Sequence, residues 1–227
     1  MPERKSKKQG RRSKKSTDAK QSQRLKNLES FVYKTIENKQ INYEVTNQNI
    51  TSSGYNNYGF LKLATGAEDG ADYGDPARIG NSITLMRQIF NMNISLRDPA
   101  DNFNQVRVII AEALEGTQLL SIENVLLYSD YSVNGNSIFS SPYTTKTGTN
   151  QRYKIHFDKH IVLNPYQKTA CNVKHTVKFK GGKVVDFDGP TEQFPTNHRM
   201  NIWVLGDSTA IQHPRLDLAV RSTYKDA

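Results

Sequence analysis

The chain has 227 residues, 36% hydrophobic and 23% charged, with a formal net charge of +9 and one cysteine. Its length suits one sizeable domain, the lone Cys171 excludes an internal disulfide, and no run approaches the roughly 20 apolar residues of a membrane span. The first apolar cluster, Phe31 to Ile36, is too short and too late for a signal peptide, so a soluble, non-secreted protein is expected.

Charge is concentrated at the start of the chain. Up to Lys26 there are eleven basic residues: Arg4, Lys5, Lys7, Lys8, Arg11, Arg12, Lys14, Lys15, Lys20, Arg24 and Lys26. Glu3 and Asp18 are the acidic ones, so this stretch carries +9. The whole chain has 31 basic and 22 acidic residues, which leaves 20 of each beyond Lys26 and a net charge of zero. With no aromatic residue and only Leu25 as a large aliphatic one, residues 1–26 cannot bury enough surface to offset the entropy of ordering. They are expected to form a disordered basic arm that follows phosphates by displacing counterions, ahead of a single body over residues 27–227. About nine such charges on a single strand would give a slope of roughly −6 in log affinity against log salt. A solubility tail or a nuclear import signal are compatible readings of the same stretch.

In the body, "ITLMRQIFNMNISL" alternates, with Met86, Phe90, Met92, Ile94 and Leu96 opposite Arg87, Asn91, Asn93 and Ser95. A strand of that length would reach about 45 Å, so a bend or bulge is expected within it. "NQVRVIIAEA" reads as a strand buried on both sides in its second half, and "LLSIENVLLY" as a helix capped by Ser121 with Ile122, Val125 and Leu126 on its apolar stripe. In "YKIHFDKHIVL", Tyr153, Ile155, Phe157, Ile161 and Leu163 share one face. "VKHTVKFK" sets Val173, Val177 and Phe179 against Lys174, Thr176, Lys178 and Lys180, and Gly181-Gly182 signals a turn before "KVVDF". "NIWVL" and "LDLAVRSTY" close the series. Long polar connections run from Ala64 to Arg78 and from Ser129 to Asn150. About eight strands, little helix and no βαβ alternation predict an all-β, antiparallel sandwich or jelly roll of two facing sheets.

Chemical motifs are sparse. His156, Asp158 and His160 in "HFDKH" are suitable ligand types at alternate positions, but no fitting glutamate follows, and a solvated or subunit-facing strand is the better reading. Ser208 in "VLGDST" lacks a nucleophile elbow and a histidine placed by sequence to activate it. No glycine-rich phosphate loop is present. No enzyme activity, metal or cofactor is expected. Cys171 is expected to be a small buried apolar residue, and tyrosines in "SGYNNYGF" and "LLYSDYS" suit interfaces.

Several stretches together resemble the capsid proteins of small circular single-stranded DNA viruses that encode a rolling-circle Rep, the group containing the circoviruses. They are the basic arm, "GDPARIGNSITLMRQIF", "NQVRVIIAEAL", "SSPYTTKTGTNQRYKIHFDKHIVLN", "FKGGKVVDF", "NIWVLGDST" and "STYKD", in that order. The resemblance implies a single eight-stranded jelly roll assembling as sixty copies into an icosahedral shell, with the arm turned inward onto a single-stranded genome. Arg78, Ile79, Gly80 and Asn81 are then structural, Gly80 letting the chain turn into its strand. The short arm that mixes lysine with arginine departs from the circovirus pattern, and RNA-packaging satellite viruses of plants have similar jelly rolls and arms. The expected partners are further copies of the chain, single-stranded DNA ahead of RNA, and host nuclear import machinery, with no membrane insertion. The expected location is the virion, and the host nucleus and cytoplasm during assembly. The contrasting readings are a non-viral basic-tailed nucleic-acid-binding sandwich and a cupin-like metalloenzyme using His156 and His160.

Overall fold

The computed structural model describes residues 18–28, 38–65, 77–78, 80–97, 103–114, 121–127, 137–144, 153–208 and 213–226. The chain divides into two units, Met1–Glu37 and Asn38–Ala227; the division falls later than the composition break at Lys26. In the first unit, residues 18–28 are helical and exposed throughout. Composition predicts disorder there, but Ala19, Lys20, Gln21, Gln23, Arg24, Leu25 and Lys26 are good helix formers, and Gln23 donates to Asn27 one turn on at 3.2 Å. A helix this short with no packed face is marginal in water on its own.

The second unit contains β1 (Lys39–Asn49), β2 (Tyr55–Asn57), β3 (Ala64–Thr65), β4 (Ala77–Arg78), β5 (Ser82–Ser95), β6 (Asn104–Ala113), α1 (Ile122–Val125), α2 (Ser137–Ser140), β7 (Tyr153–Leu163), β8 (Ala170–Asp186), β9 (Met200–Gly206) and β10 (Arg215–Asp226). Two four-stranded antiparallel sheets form, one ordered β1-β10-β5-β8 and the other β2-β9-β6-β7; β3 and β4 make a separate short parallel pair. Successive long strands cross between the sheets except β6 and β7, which pair directly. This is the jelly-roll connectivity, and the fold is a jelly-roll sandwich.

The core lies between the sheets. Phe90, Met92 and Ile94 of β5, Leu216, Leu218 and Val220 of β10, and Val173 and Val177 of β8 face Val106, Val108 and Ile110 of β6, Ile202 and Val204 of β9, and Ile161 and Leu163 of β7. Cys171 is buried in the same cluster. Strand β9 is buried along its whole length and β6 along nearly all of it. Their other face carries Ile109, Ala111, Trp203 and Leu205, covered by Val125, Leu126 and Ile138 of the β6–β7 crossover. The expected helix is reduced to the single turn α1; Ser121 stands at its N-cap but makes no capping bond, and its Oγ accepts from Asn124 instead, at 2.8 Å.

Bulges account for three departures from simple alternation, and the one in β5 is the bend or bulge expected there. Register skips Met86, which is half-buried and matched by neither β8 nor β10. Ile83 and Leu85 before it and Phe90, Met92 and Ile94 after it are therefore all buried although their parity changes. Opposite Met86, residues 179–182 of β8 loop out, so Gly181-Gly182 is a wide bulge inside one continuous strand rather than a turn. In β7 the register breaks at His156, so Phe157, Ile161 and Leu163 join the inter-sheet core while Tyr153 and Ile155 join the outer cluster. Strands β1 and β2 are additional to the segments picked out by periodicity.

Gly182 makes the β5–β8 bulge possible: its φ is +82°, and a Cβ there would run into Thr84 Cγ2. Gly181 has φ +77°, but a Cβ there would meet nothing within 4 Å. Gly182→Ala is expected to lower unfolding free energy by about 2–3 kcal/mol and Gly181→Ala by about 1 kcal/mol. Denaturant midpoints measure both, and equal losses would contradict the close approach at Gly182.

Candidate nucleic-acid interface

Of the eleven arm cations, Lys20, Arg24 and Lys26 lie on the exposed helix of residues 18–28. Lys20 and Arg24, one turn apart, share a face; Lys26 follows about 200° further round. The helix thus carries charge around its circumference, which suits phosphate contact without base reading. Leu25 and Leu28, three apart, are 60% and 61% exposed. Arg4, Lys5, Lys7, Lys8, Arg11, Arg12, Lys14 and Lys15 lie outside the described residues.

The neutral sum of the body conceals a strong polarity. Strands β7 and β8 with their connecting turn hold Lys154, Lys159, Lys168, Lys174, Lys178, Lys180 and Lys183 against Asp158 and Asp186, seven positive to two negative, a net +5. Lys183 is paired with Glu112 and Asp158 with Arg107. The other six lysines are exposed and in no ion pair among the described residues. Each sheet contributes one of its edges here, β7 and β8, and the two meet through Phe157 and His175, ring centres 4.7 Å apart.

The three polar residues of "HFDKH" have separate roles. His156, at the bulge, reaches Glu112 Oε2 through Nε2 at 2.9 Å. Asp158 receives Arg107 through Nε at 3.1 Å and Nη2 at 2.7 Å, and also the Tyr143 hydroxyl. Arg107 Nη1 donates to Ile138 O at 2.6 Å and Ser141 O at 3.1 Å, so this buried guanidinium fastens the crossover to the outer face of β6. His160 packs edge-on against Phe139 at 6.1 Å. Burial, then the Arg107 charge, push the His160 pKa down, against the pull of Asp158. Among the described residues no group of three His, Cys, Asp or Glu side chains is placed to hold a metal ion.

Glu112 is the polar anchor at one end of the sandwich. It continues the inward parity of Val106, Val108 and Ile110, and its side chain is 1% exposed. His156 of β7, Lys183 of β8 and His198 of the β8–β9 connection all converge on it, His198 Nδ1 at 2.9 Å. Because a carboxylate only accepts, both histidines present N–H to it. Burial pushes this carboxyl up, but the hydrogen bonds from His156 and Lys183 and their charges overrule it and hold the pKa at about 2. A second buried cation, Arg78, donates to the carbonyls of Gly80, Gly189 and Glu192 and stacks over Phe187 at 4.2 Å. Arg78 is thus a structural tie, and Gly80 takes φ +80° beside it. Sequence motifs do not single out Glu112 or Arg107, though a charge inside a run buried on both faces has to be paired.

Ser208 differs from expectation as well: His213 Nδ1 lies 3.2 Å from its Oγ. The serine is buried, however, and Asp207 Oδ1 accepts the Gln105 N–H at 2.8 Å. Among the tyrosines, Tyr55 is half-buried, its hydroxyl accepting from Asn57 at 2.9 Å, whereas Tyr166 is 84% exposed. Among the described residues no helix is long and apolar enough to cross a membrane.

No family model matches the chain, and no curated protein matches it. Among solved structures, a chain described as Desmodium yellow mottle tymovirus is similar over 85% of this chain and 88% of its own, with 7% identity and a TM-score of 0.36.

Because the Glu112 carboxyl is held below its ordinary value of 4.5, it contributes stability that is complete above that value and is lost as pH falls towards about 2. Glu112→Gln is expected to cost about 3 kcal/mol at neutral pH, since it leaves Lys183 without its partner, and to flatten the decline in melting temperature between those limits. A variant whose acid profile parallels that of the parent would show that Glu112 does not carry this part of the pH dependence.

Proposed function

We propose that this chain is a viral coat protein whose jelly-roll body builds a closed shell and whose basic arm holds a single-stranded nucleic acid inside it. The observation that carries the reading is the separation of charge: +9 within residues 1–26 and zero over the rest. A neutral wall allows copies to sit side by side, while a concentrated basic segment neutralises a polymer without reading its sequence. The exposed helix bearing Lys20, Arg24 and Lys26 fits that task. Phe103, Val162 and Tyr166, each 44% exposed or more, gather at the shared end of β6 and β7, where a neighbouring copy would cover them.

The resemblance noted in the sequence favours sixty copies, a DNA genome and assembly in the host nucleus and cytoplasm. Sixty arms at +9 would bring about 540 positive charges, enough for only part of a genome on the order of a thousand nucleotides, which leaves counterions or inner-wall residues to supply the balance. The role is structural rather than catalytic in this reading: the buried polar clusters around Glu112, Arg107 and Arg78 tie elements of the body together.

Electron microscopy of the purified protein, with absorbance at 260 and 280 nm on the same fraction, tests the proposal. Uniform closed particles rich in nucleic acid are expected. A variant with all eleven arm cations replaced by Gln should keep the body folded, form particles poor in nucleic acid, and lose about 6 units of the salt slope for a single-stranded oligonucleotide. Small species at every salt concentration would favour the basic-tailed binding module instead, and normal packaging by the arm variant would sink the arm's assignment.

A further inference from the structure

The outward face of the first sheet is not uniform across its strands. Over β5 and β8 it presents Arg87, Ile89, Asn91 and Asn93 beside Asn172, Lys174, Thr176 and Lys178, with Lys180 following in the bulge and Asp186 at the far end of β8 as the one carboxylate. All four cations are exposed. Over β1 and β10 the same face carries Glu44 and Asp217 together with Arg221, which donates to Asn42. An open depression of about 480 Å³ crosses the boundary, with Asn91, Asn93, Asn172 and Lys174 on one side and these two carboxylates on the other.

The register adds an independent sign. Arg87 and Lys178 are directly opposite each other on neighbouring strands, where like charges are destabilising. No carboxylate is paired in register with either residue, so the body holds a repulsive arrangement that an external anion would turn into an attractive one. Along β8, Lys174 to Lys178 spans about 13 Å at the rise of an extended strand, enough to follow neighbouring phosphates of a single strand, and Lys180 follows in the bulge. The asparagine amides between them donate and accept, as backbone or base contacts require.

We propose that the β5–β8 half of this face is a second, folded binding surface for single-stranded nucleic acid, and that it marks the side of the wall turned toward the packaged polymer. This rests on the coat-protein reading and would supply inner-wall cations toward the balance that the arms leave. Arg87, Lys174, Lys178 and Lys180 contact phosphates. Glu44 and Asp217 limit the track to the β5–β8 side.

The test uses the full chain and a fluorescein-labelled oligodeoxythymidylate of about 20 nucleotides, with anisotropy followed across salt concentration. The variant Arg87→Gln/Lys174→Gln/Lys178→Gln/Lys180→Gln should lower the magnitude of the slope by about 3, four contacts at about 0.7 each. Lys62→Gln, which removes an exposed lysine outside the β7–β8 surface, should leave it unchanged. The single variant Lys178→Gln relieves the repulsion from Arg87, so it should melt no lower than the parent while losing about 0.7 of slope; it decides the matter should the quadruple variant fold poorly. An unchanged slope in these variants overturns the proposal, as does loss of retention on a sulfated polysaccharide with oligonucleotide binding intact. Microscopy of the same samples separates the two readings. Particles with an unchanged slope sink the binding face alone, whereas a reduced slope in a chain that forms only small species supports the face and sinks the shell.

Discussion

The second sheet cannot stand in water on either side, and much of the body follows from that constraint. Val106, Val108 and Ile110 need the first sheet over them, while Ile109, Ala111, Trp203 and Leu205 need a second cover. The crossover between β6 and β7 provides it through Val125, Leu126 and Ile138. A strand buried on both faces reads as a nearly continuous apolar run, which is why "VRVIIAEA" and "NIWVLG" lack clean alternation. The first sheet is covered on its inner side by the core and keeps a polar outer face with Asn91, Asn93, Lys174 and Arg221. The molecule therefore has two unlike sides before any partner is considered.

Double-sided burial also decides where buried charge is tolerated. Arg107 and Glu112 sit within the same strand, on opposite faces, and each is stabilised only because several elements converge on it. Arg107 is held by Asp158 and by two carbonyls of the crossover, which makes it a fastener between the outer cover and the sheet. Glu112 gathers His156, Lys183 and His198, joining strands of both sheets at one end of the sandwich. Removing one member of such a set leaves a charge buried without compensation, a larger loss than the set contributes over an apolar replacement. They are better understood as devices that fix which elements meet than as large sources of stability.

The sequence made the fold class legible because alternation survives in β5, β7, β8 and β10 over enough residues to show which face is wet. What it concealed lies at bulges. Met86 and His156 each shift the parity of their strand, so a face assigned from one end is wrong at the other: Tyr153 and Ile155 belong to a different cluster from Phe157. Gly181-Gly182 reads as a turn because positive φ serves turns and bulges equally. Strand β1 was legible in principle, since Ile41, Tyr43 and Val45 alternate with Gln40, Asn42 and Glu44, but the polar tail Thr46 to Asn49 dilutes the pattern. The arm's cations are visible at once, whereas the basic half-face requires register. Arg87 and Lys178 are far apart in the chain, and only pairing of β5 with β8 puts them together.

A zero net charge is therefore a poor description of the body. Strands β7 and β8 with their turn carry +5, so the remainder of residues 27–227 must carry −5. Much of that acid sits in connections: Glu68, Asp69, Asp72 and Asp75 fall between β3 and β4, Asp98 and Asp101 between β5 and β6, and Glu115 and Glu123 after β6. In the proposed shell this division has a use that uniform neutrality would not. Basic strands on the polymer side would repel one another between copies, a repulsion that salt screens beyond about one Debye length, roughly 8 Å at physiological salt. Assembly and packaging would then depend on salt in opposite senses at low concentration: screening would weaken the grip on the polymer and also any repulsion between basic faces. The balance between them, rather than the arm alone, would set the ionic strength at which filled particles form.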